Sequence, residues 1–254
     1  MKRVKRRILS GAICEQVVFN VRDSDRDPKD ARPSRPRFKN EAEREKHRNE
    51  ISRRRHLRMF QANFNTDSLY STLTFSNEYE VHTFREAKQV ANNYCRRLLY
   101  ACPKATIFLY MGRGKATHRI HFHMVSNGIP EEIITGKWGY GSIVRVDGLR
   151  AHNYIDGKDC GQDFSGLANY LFDHWTPEVG GHRWKAVGQV RKPEPEDATV
   201  CVRNYSAERP PIPPKGYMLV ETKETGYGYL YFRYVVIPPK VKRIRKKPAR
   251  VRRE

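Results

Sequence analysis

Two histidines, His121 and His123, stand one residue apart in the run RIHFHMV at residues 119–125. The run is apolar and rich in strand-forming residues, which predicts a buried β-strand. Because side chains alternate along a strand, both imidazoles face one side of the sheet and the apolar residues between and beside them face the other. Two histidines on one sheet face can share a metal ion. They can equally be a hydrogen-bonded pair on a half-polar face, so the pair alone decides nothing.

Tyr170 lies in the segment 166–175, whose leucines and tryptophan recur every four residues. That spacing predicts a helix, which Pro177 ends. Tyr170, Asp173 and His174 are expected to share a face beside the buried side of this helix. The helix would therefore present a phenol, a carboxylate and an imidazole together.

A metal-binding histidine pair and a positioned tyrosine can together cleave a phosphodiester. The cation neutralises charge that develops on the scissile phosphate, and the tyrosine attacks in line. A phosphotyrosine keeps the energy of the broken bond and leaves a free hydroxyl on the other DNA end. Tyr154 is the alternative nucleophile, but it lies in a predicted polar loop, where a side chain is loosely placed. We therefore prefer Tyr170.

The charge of the chain indicates its partner. It carries 49 Lys and Arg against 28 Asp and Glu residues, a formal net charge of +21 over 254 residues. Such an excess of positive charge predicts that the partner is a polyanion. The lack of a long apolar stretch favours nucleic acid over a membrane as that partner. No G-x-x-x-x-G-K-[S/T] loop occurs, so we expect no nucleotide cofactor. Five widely spaced cysteines and no signal-peptide pattern predict a cytoplasmic location.

Composition divides the chain into four parts. They are a basic N-terminal arm and linker (1–39), a main domain (40–200), a Pro-rich linker with a C-terminal β-hairpin (201–239) and a basic, disordered tail (240–254). Two basic clusters, one in a charged helix and one in the tail, are expected to contact DNA phosphates, although a charge run can equally be a solvated face. The residues are Arg53, Arg54, Arg55, Lys242, Arg243, Arg245, Lys246 and Lys247.

The main domain alternates predicted helices and strands. A helix over 40–63, whose last turns are expected to dock on the core, precedes a strand over 69–75. A capping box that begins at Thr83 opens a second helix. A glycine turn joins strands 106–111 and 118–125 into an antiparallel hairpin. The expected fold class is α+β, with a central antiparallel sheet flanked by helices and with basic terminal extensions.

Several short blocks of the chain follow one another in the order of one known family. The blocks are NF (63–64), LTF (73–75), HFH (121–123) with NG (127–128), WGYG (138–141), ANYL (168–171), and RW (183–184) with KPE (192–194). In this combination the chain resembles the rolling-circle replication initiators of the HUH endonuclease superfamily, in the branch found in bacterial phages and plasmids. The resemblance covers roughly residues 40 to 195.

The resemblance implies a fold, a site and a reaction. The sheet would be of the ferredoxin or RRM type, His121 and His123 would bind Mn²⁺ or Mg²⁺, and Tyr170 would be the nucleophile. The protein would nick one strand at a replication origin, remain linked to the 5′ end and leave a 3′ hydroxyl for the host helicase and polymerase. Because Mg²⁺ prefers oxygen ligands, the imidazoles make Mn²⁺ at least as suitable.

The chain departs from the family pattern at the third metal ligand. Related initiators supply a carboxylate just upstream of the histidine pair, but no Asp or Glu occurs between Glu86 and Glu131. Residues three and four positions after Tyr170 lie above it on the helix, so we expect His174, with Asp173 second, to be the missing ligand. Alternatively, waters and the phosphate complete the shell around two histidines.

Two other functions fit the same residues. An HUH transposase or relaxase would use the same chemistry for a different outcome. A non-catalytic single-stranded DNA-binding protein would stack bases on aromatic residues and hold phosphates with its basic tails, without metal or cleavage. Formation of a covalent protein–DNA adduct would distinguish an HUH enzyme from the non-catalytic binding protein.

Overall fold

The computed structural model describes residues 2–21, 38–114, 117–141, 144–174, 184–225 and 229–238. Within these ranges the chain is a mixed α+β protein with antiparallel sheets and four α-helices. The elements are, in chain order, β1 (Lys2–Ser10), β2 (Ile13–Val21), α1 (Glu41–Asn63), β3 (Leu69–Thr74), α2 (Phe84–Ala101), β4 (Thr106–Arg113), β5 (Ile120–Asn127), α3 (Glu131–Lys137), β6 (Val144–Gly148), β7 (Tyr154–Ile155), β8 (Lys158–Asp159), α4 (Ser165–Asp173), β9 (Lys185–Gly188), β10 (Thr199–Val200), β11 (Tyr217–Thr225) and β12 (Tyr229–Val236).

The central sheet has five antiparallel strands in the order β6-β3-β5-β4-β9. Its middle strand, β5, carries both histidines of the pair. The predicted hairpin of β4 and β5 is confirmed, with Tyr110 opposite His123 and Gly112 opposite His121. β5 begins later than predicted because His118, with a left-handed φ of 55°, belongs to the turn.

Helices cover both faces of the central sheet. α2 begins at the predicted capping box and packs with α3 on one face. α1 and α4 cover the other face, where Phe60 and Leu171 pack with Phe108 of β4. Val125 of β5 belongs to the same cluster. Because alternate residues of β5 share a face, its histidines also lie on the side of α1 and α4.

The first helix, α1, changes character along its length. Asn40 caps it by accepting a hydrogen bond of 2.8 Å from the Glu43 N–H. Its first turns are exposed, whereas its last turns bury His56, Met59 and Phe60. The predicted docking of these last turns on the core is confirmed. None of the described helices combines the length and the apolar character that a membrane span needs.

A second sheet, which we call the terminal sheet, joins the two ends of the chain. Its strand order is β10-β1-β2-β12-β11. The predicted C-terminal hairpin is confirmed as β11 and β12, whose connecting residues 226–228 lie outside the described ranges. Sequence analysis described residues 1–39 as an arm and linker, whereas β1 and β2 are paired strands and β2 also pairs with β12. Because β1 is rich in Lys and Arg, its buried Val4 and Ile8 did not identify it as a strand. Pairing with a strand at the far end of the chain also leaves no local pattern in the sequence.

Side-chain ion pairs connect the terminal sheet to the helices that cover the central sheet. Arg58 of α1 forms an ion pair with the buried Glu15 of β2, and Arg233 of β12 lies 2.6 Å from Asp163, just before α4. Gly11, in the turn between β1 and β2, has a φ of 57°, and a Cβ there would lie 2.0 Å from the Gln61 carbonyl oxygen. Only glycine allows this close approach.

Candidate active site

Three histidine side chains meet beside the end of α4. They are His121 and His123 from β5 and His174, the residue that follows α4. The Nε2 atoms of His121 and His174 are 2.7 Å apart, and one ligand atom from each of the three rings lies within 4.8 Å of the others. Among the described residues, this is the only such group of three or more His, Cys, Asp or Glu side chains.

Two hydroxyl side chains of β3 orient His123. Its Nδ1 lies 2.6 Å from the Tyr70 hydroxyl and 3.3 Å from the Thr72 hydroxyl. Its buried Nε2 has no hydrogen-bond partner among the described residues. When Nδ1 carries the proton and donates it to the Tyr70 hydroxyl, Nε2 keeps a lone pair. A buried nitrogen without a hydrogen-bond partner costs folding free energy unless it binds a ligand. This nitrogen therefore fits a bound cation.

His121 also directs its Nε2 to the site, where it lies 2.7 Å from the His174 Nε2. Its Nδ1 lies 3.4 Å from the Arg119 carbonyl oxygen, which can only accept a hydrogen bond, so this contact favours the proton on Nδ1 and the lone pair on Nε2. Burial lowers the pKa of His121, and burial together with the neighbouring His174 and His121 lowers the pKa of His123 to about 3. Neutral imidazole is the form that binds metal. Nitrogen donors of this kind suit transition-metal ions better than Mg²⁺.

Gly112 of β4 leaves the space that His174 occupies. It lies directly opposite His121 in the register of β4 and β5. A Cβ at position 112 would lie 2.4 Å from Cδ2 and 2.5 Å from Nε2 of His174, which is too close for any side chain unless the ring moves. The resemblance places the third ligand, a carboxylate, near residues 111–113. In the structure the imidazole of His174 lies at this place, and it comes from the end of α4.

Tyr170 stands beside the histidines, one helical turn before His174. Its ring centroid is 5.9 Å from that of His123 and 5.6 Å from that of His174. Tyr170 is 53 % exposed, so a ligand can approach it from solvent. Tyr154, the alternative nucleophile, lies in β7 and belongs to a separate two-stranded sheet with β8. The role of Tyr170 as nucleophile stays a prediction.

Asp173 lies outside the group of three histidines. Its carboxylate accepts two hydrogen bonds, of 2.5 and 2.9 Å, from the Arg53 guanidinium, and this partner raises the pKa of Arg53. Arg53 also donates to Asn169, at 3.2 Å, and lies 4.7 Å from the ring centre of Phe172. Arg53 therefore ties α1 to α4, the helix that carries Tyr170. Its predicted contact with DNA stays a prediction.

The other predicted DNA-binding residues have different environments. Arg54 lies 4.9 Å from the ring centre of Tyr231 in the terminal sheet, and Arg55 is exposed on α1. The remaining residues belong to the predicted tail and lie outside the described ranges. They are Lys242, Arg243, Arg245, Lys246 and Lys247.

No family model, curated protein or solved structure matches this chain. Support for a function therefore comes from the ordered sequence blocks and from the geometry of the described residues.

Sequence analysis missed Tyr70 and Gly112. Both approach the histidines across strand pairs, since Tyr70 lies opposite Val125, two residues after His123 on β5, and Gly112 lies opposite His121. That proximity depends on strand register, which a single sequence does not specify. The available signal was the run of hydroxyl side chains at alternate positions of β3, which places Tyr70 and Thr72 on one face.

Proposed function

We propose that this protein is an HUH-type endonuclease that initiates rolling-circle replication by nicking one strand of origin DNA with Tyr170. A divalent metal ion bound by His121, His123 and His174 assists the reaction. The observation that carries the proposal is the meeting of three imidazole side chains beside an exposed tyrosine. The ordered sequence blocks supply the biological context.

The proposed reaction is a transesterification. The Tyr170 oxygen forms a bond to the scissile phosphorus, and the bond from phosphorus to the 3′ oxygen of the preceding nucleotide breaks. The phenol loses its proton, and the departing 3′ oxygen gains one. The products are a 5′-phosphotyrosine and a free 3′ hydroxyl, from which a host polymerase can extend with the help of a helicase. When bound, the ion stabilises negative charge on the phosphate.

Neighbouring residues orient the metal ligands and the nucleophile. The Tyr70 hydroxyl and the Arg119 carbonyl lie within hydrogen-bond distance of Nδ1 of His123 and of His121, so a proton on each Nδ1 would leave the Nε2 lone pairs to the ion. Arg53 fixes the end of α4 through Asp173 and thereby the position of Tyr170. Three imidazoles favour Mn²⁺ or another transition-metal ion over Mg²⁺.

The test is covalent adduct formation. Labelled single-stranded DNA from the origin region of the encoding replicon is incubated with the protein and Mn²⁺, and the products are separated under denaturing conditions. We expect a labelled protein band with the wild type and with the control Tyr154→Phe, and no band with Tyr170→Phe. An adduct that survives in Tyr170→Phe contradicts the proposed nucleophile. Binding without cleavage in every protein indicates the single-stranded DNA-binding function.

A further inference from the structure

A polar cavity of about 360 Å³ lies at the end of β5 opposite the histidines. The turn between β1 and β2, the last turn of α1 and the ends of β4 and β5 surround it. Asn127, the last residue of β5, lines the cavity on the same strand face as His121 and His123. Asn127 lies four positions after His123, or roughly 13 Å along an extended strand.

The lining of this cavity combines amide groups with positive charge. Asn127, Gln162 and Gln189 line it together with Lys104 and Arg191, and none of its lining residues is an Asp or Glu. Gln162, Gln189 and both basic residues are exposed, so a ligand that enters from solvent meets them. The site therefore offers several hydrogen-bond donors and acceptors and no charge that repels an anion.

The cavity wall is already fixed in the structure. The Asn63 side chain donates hydrogen bonds to the carbonyl oxygens of Met59 and Arg191 and accepts one from the Arg191 N–H, at 2.7 to 2.8 Å. The Gln61 side chain is 4 % exposed, and its Oε1 has no partner among the described residues. A prearranged wall with an unsatisfied acceptor near it is typical of a binding site.

We propose that this cavity binds one unpaired nucleotide of a DNA strand. Asn and Gln side chains can pair with the edge of a base through two hydrogen bonds, and Lys and Arg bind phosphate oxygens. The volume falls in the range of small-molecule sites. The assignment to DNA rests on the proposed function, because the same strand, β5, would then serve the scissile phosphate at one end and a recognised base at the other.

Binding in the absence of metal tests this proposal apart from the nicking reaction. Fluorescein-labelled single-stranded oligonucleotides of different base composition are titrated with full-length protein in EDTA, and affinity is measured by anisotropy. The test proteins are Gln189→Ala and Lys104→Ala. The matched controls are Gln89→Ala and Lys88→Ala, which change exposed residues of α2.

We expect the two cavity variants to bind about tenfold more weakly than the wild type and the controls to bind normally. Gln189→Ala should also reduce the preference among bases, whereas Lys104→Ala should lower the salt dependence by about one counterion. Unchanged affinity and unchanged base preference in Gln189→Ala and Lys104→Ala would overturn the proposal, whether or not the protein nicks DNA.

A second arm separates a base within a strand from a free nucleotide. Deoxynucleoside monophosphates are added as competitors of the labelled strand in the same buffer. Because one nucleotide lacks the contacts of the flanking strand, we expect competition only at concentrations far above those of the unlabelled oligonucleotide. A monophosphate that binds as tightly as the oligonucleotide would overturn the assignment to a DNA strand.

Discussion

At the residue scale, the candidate metal site depends on which residue supplies its third nitrogen ligand. His174 follows α4 and lies 2.7 Å from His121, whereas the neighbouring Asp173 is engaged by Arg53. Helical spacing predicted that either residue could approach the pair. The structure separates them, because adjacent residues of a helix point in directions about 100° apart. The imidazole points to the site and the carboxylate points to α1.

His174→Ala is expected to weaken Mn²⁺ binding by about 100-fold, since it removes one of three ligands, and to abolish nicking. Asp173→Asn should keep metal affinity close to that of the wild type, because this side chain lies outside the group of three histidines. Isothermal titration calorimetry with Mn²⁺ measures both variants. Wild-type affinity in His174→Ala would show that two histidines bind the ion without it.

Gly112→Ala is expected to weaken Mn²⁺ binding by about tenfold or more, because the added Cβ would lie 2.4 Å from the His174 ring and displace it. Gly148→Ala is the matched control, since a Cβ there meets nothing within 4 Å. Both changes add one methyl group to a strand glycine of the central sheet. Equal metal affinity in the two variants would refute the steric role of position 112.

At the element scale, local signals predicted some elements and long-range pairing decided others. The hairpin of β4 and β5 and the capping box of α2 were predictable, because their determinants are neighbours in the sequence. The approach of Tyr70 to His123 was not, because it depends on the register of β3 against β5. The last turns of α1 were predicted only to dock on the core, and the ion pair of Arg53 with Asp173 of α4 was not foreseen.

The packing of α1 also makes stability depend on pH. His56 is fully buried among aromatic rings, with Nε2 2.7 Å from the Tyr110 hydroxyl, and burial lowers its pKa from 6.5 to about 3. Between these values the unfolded chain binds a proton that the folded chain does not. Folding stability therefore falls as the pH decreases from about 6.5 towards about 3.

His56→Gln should remove this part of the pH dependence. At pH 5 the wild type is expected to have lost about 2 kcal/mol through His56, a loss that the variant does not share. Urea unfolding of both proteins at pH 7 and pH 5 measures the difference. Met59→Leu, a change in the same buried turn without a titratable group, should keep the wild-type pH dependence. An equal loss in His56→Gln and the wild type would contradict the assignment.

At the scale of the whole molecule, the two ends of the chain form one sheet that is fastened to the helices of the site. Glu15 of β2 accepts hydrogen bonds from Arg58 of α1 and from the Tyr231 hydroxyl, and its side chain is only 5 % exposed. The composition of the chain ends predicted extensions, because nothing in a basic strand identifies a partner at the opposite terminus. The terminal sheet thus supports α1, and α1 supports α4 through Arg53.

Glu15→Ala should destabilise the protein by about 3 kcal/mol, because it leaves the partly buried Arg58 without its counter-charge. Glu196→Ala removes the partner of Arg7 in an exposed pair, with side-chain exposures of 42 % and 40 %, and should cost at most about 1 kcal/mol. Chemical unfolding monitored by fluorescence compares the two. Equal destabilisation would mean that the contact between the terminal sheet and α1 is unimportant.

The most direct test of the account is to identify the amino acid that becomes linked to DNA. The adduct formed with Mn²⁺ and single-stranded origin DNA is digested with nuclease and trypsin, and the modified peptide is sequenced by tandem mass spectrometry. We expect a nucleotide remnant on Tyr170, beside His121, His123 and His174. A remnant on Tyr154 or Tyr70, or cleavage of the strand without any linked residue, would contradict it.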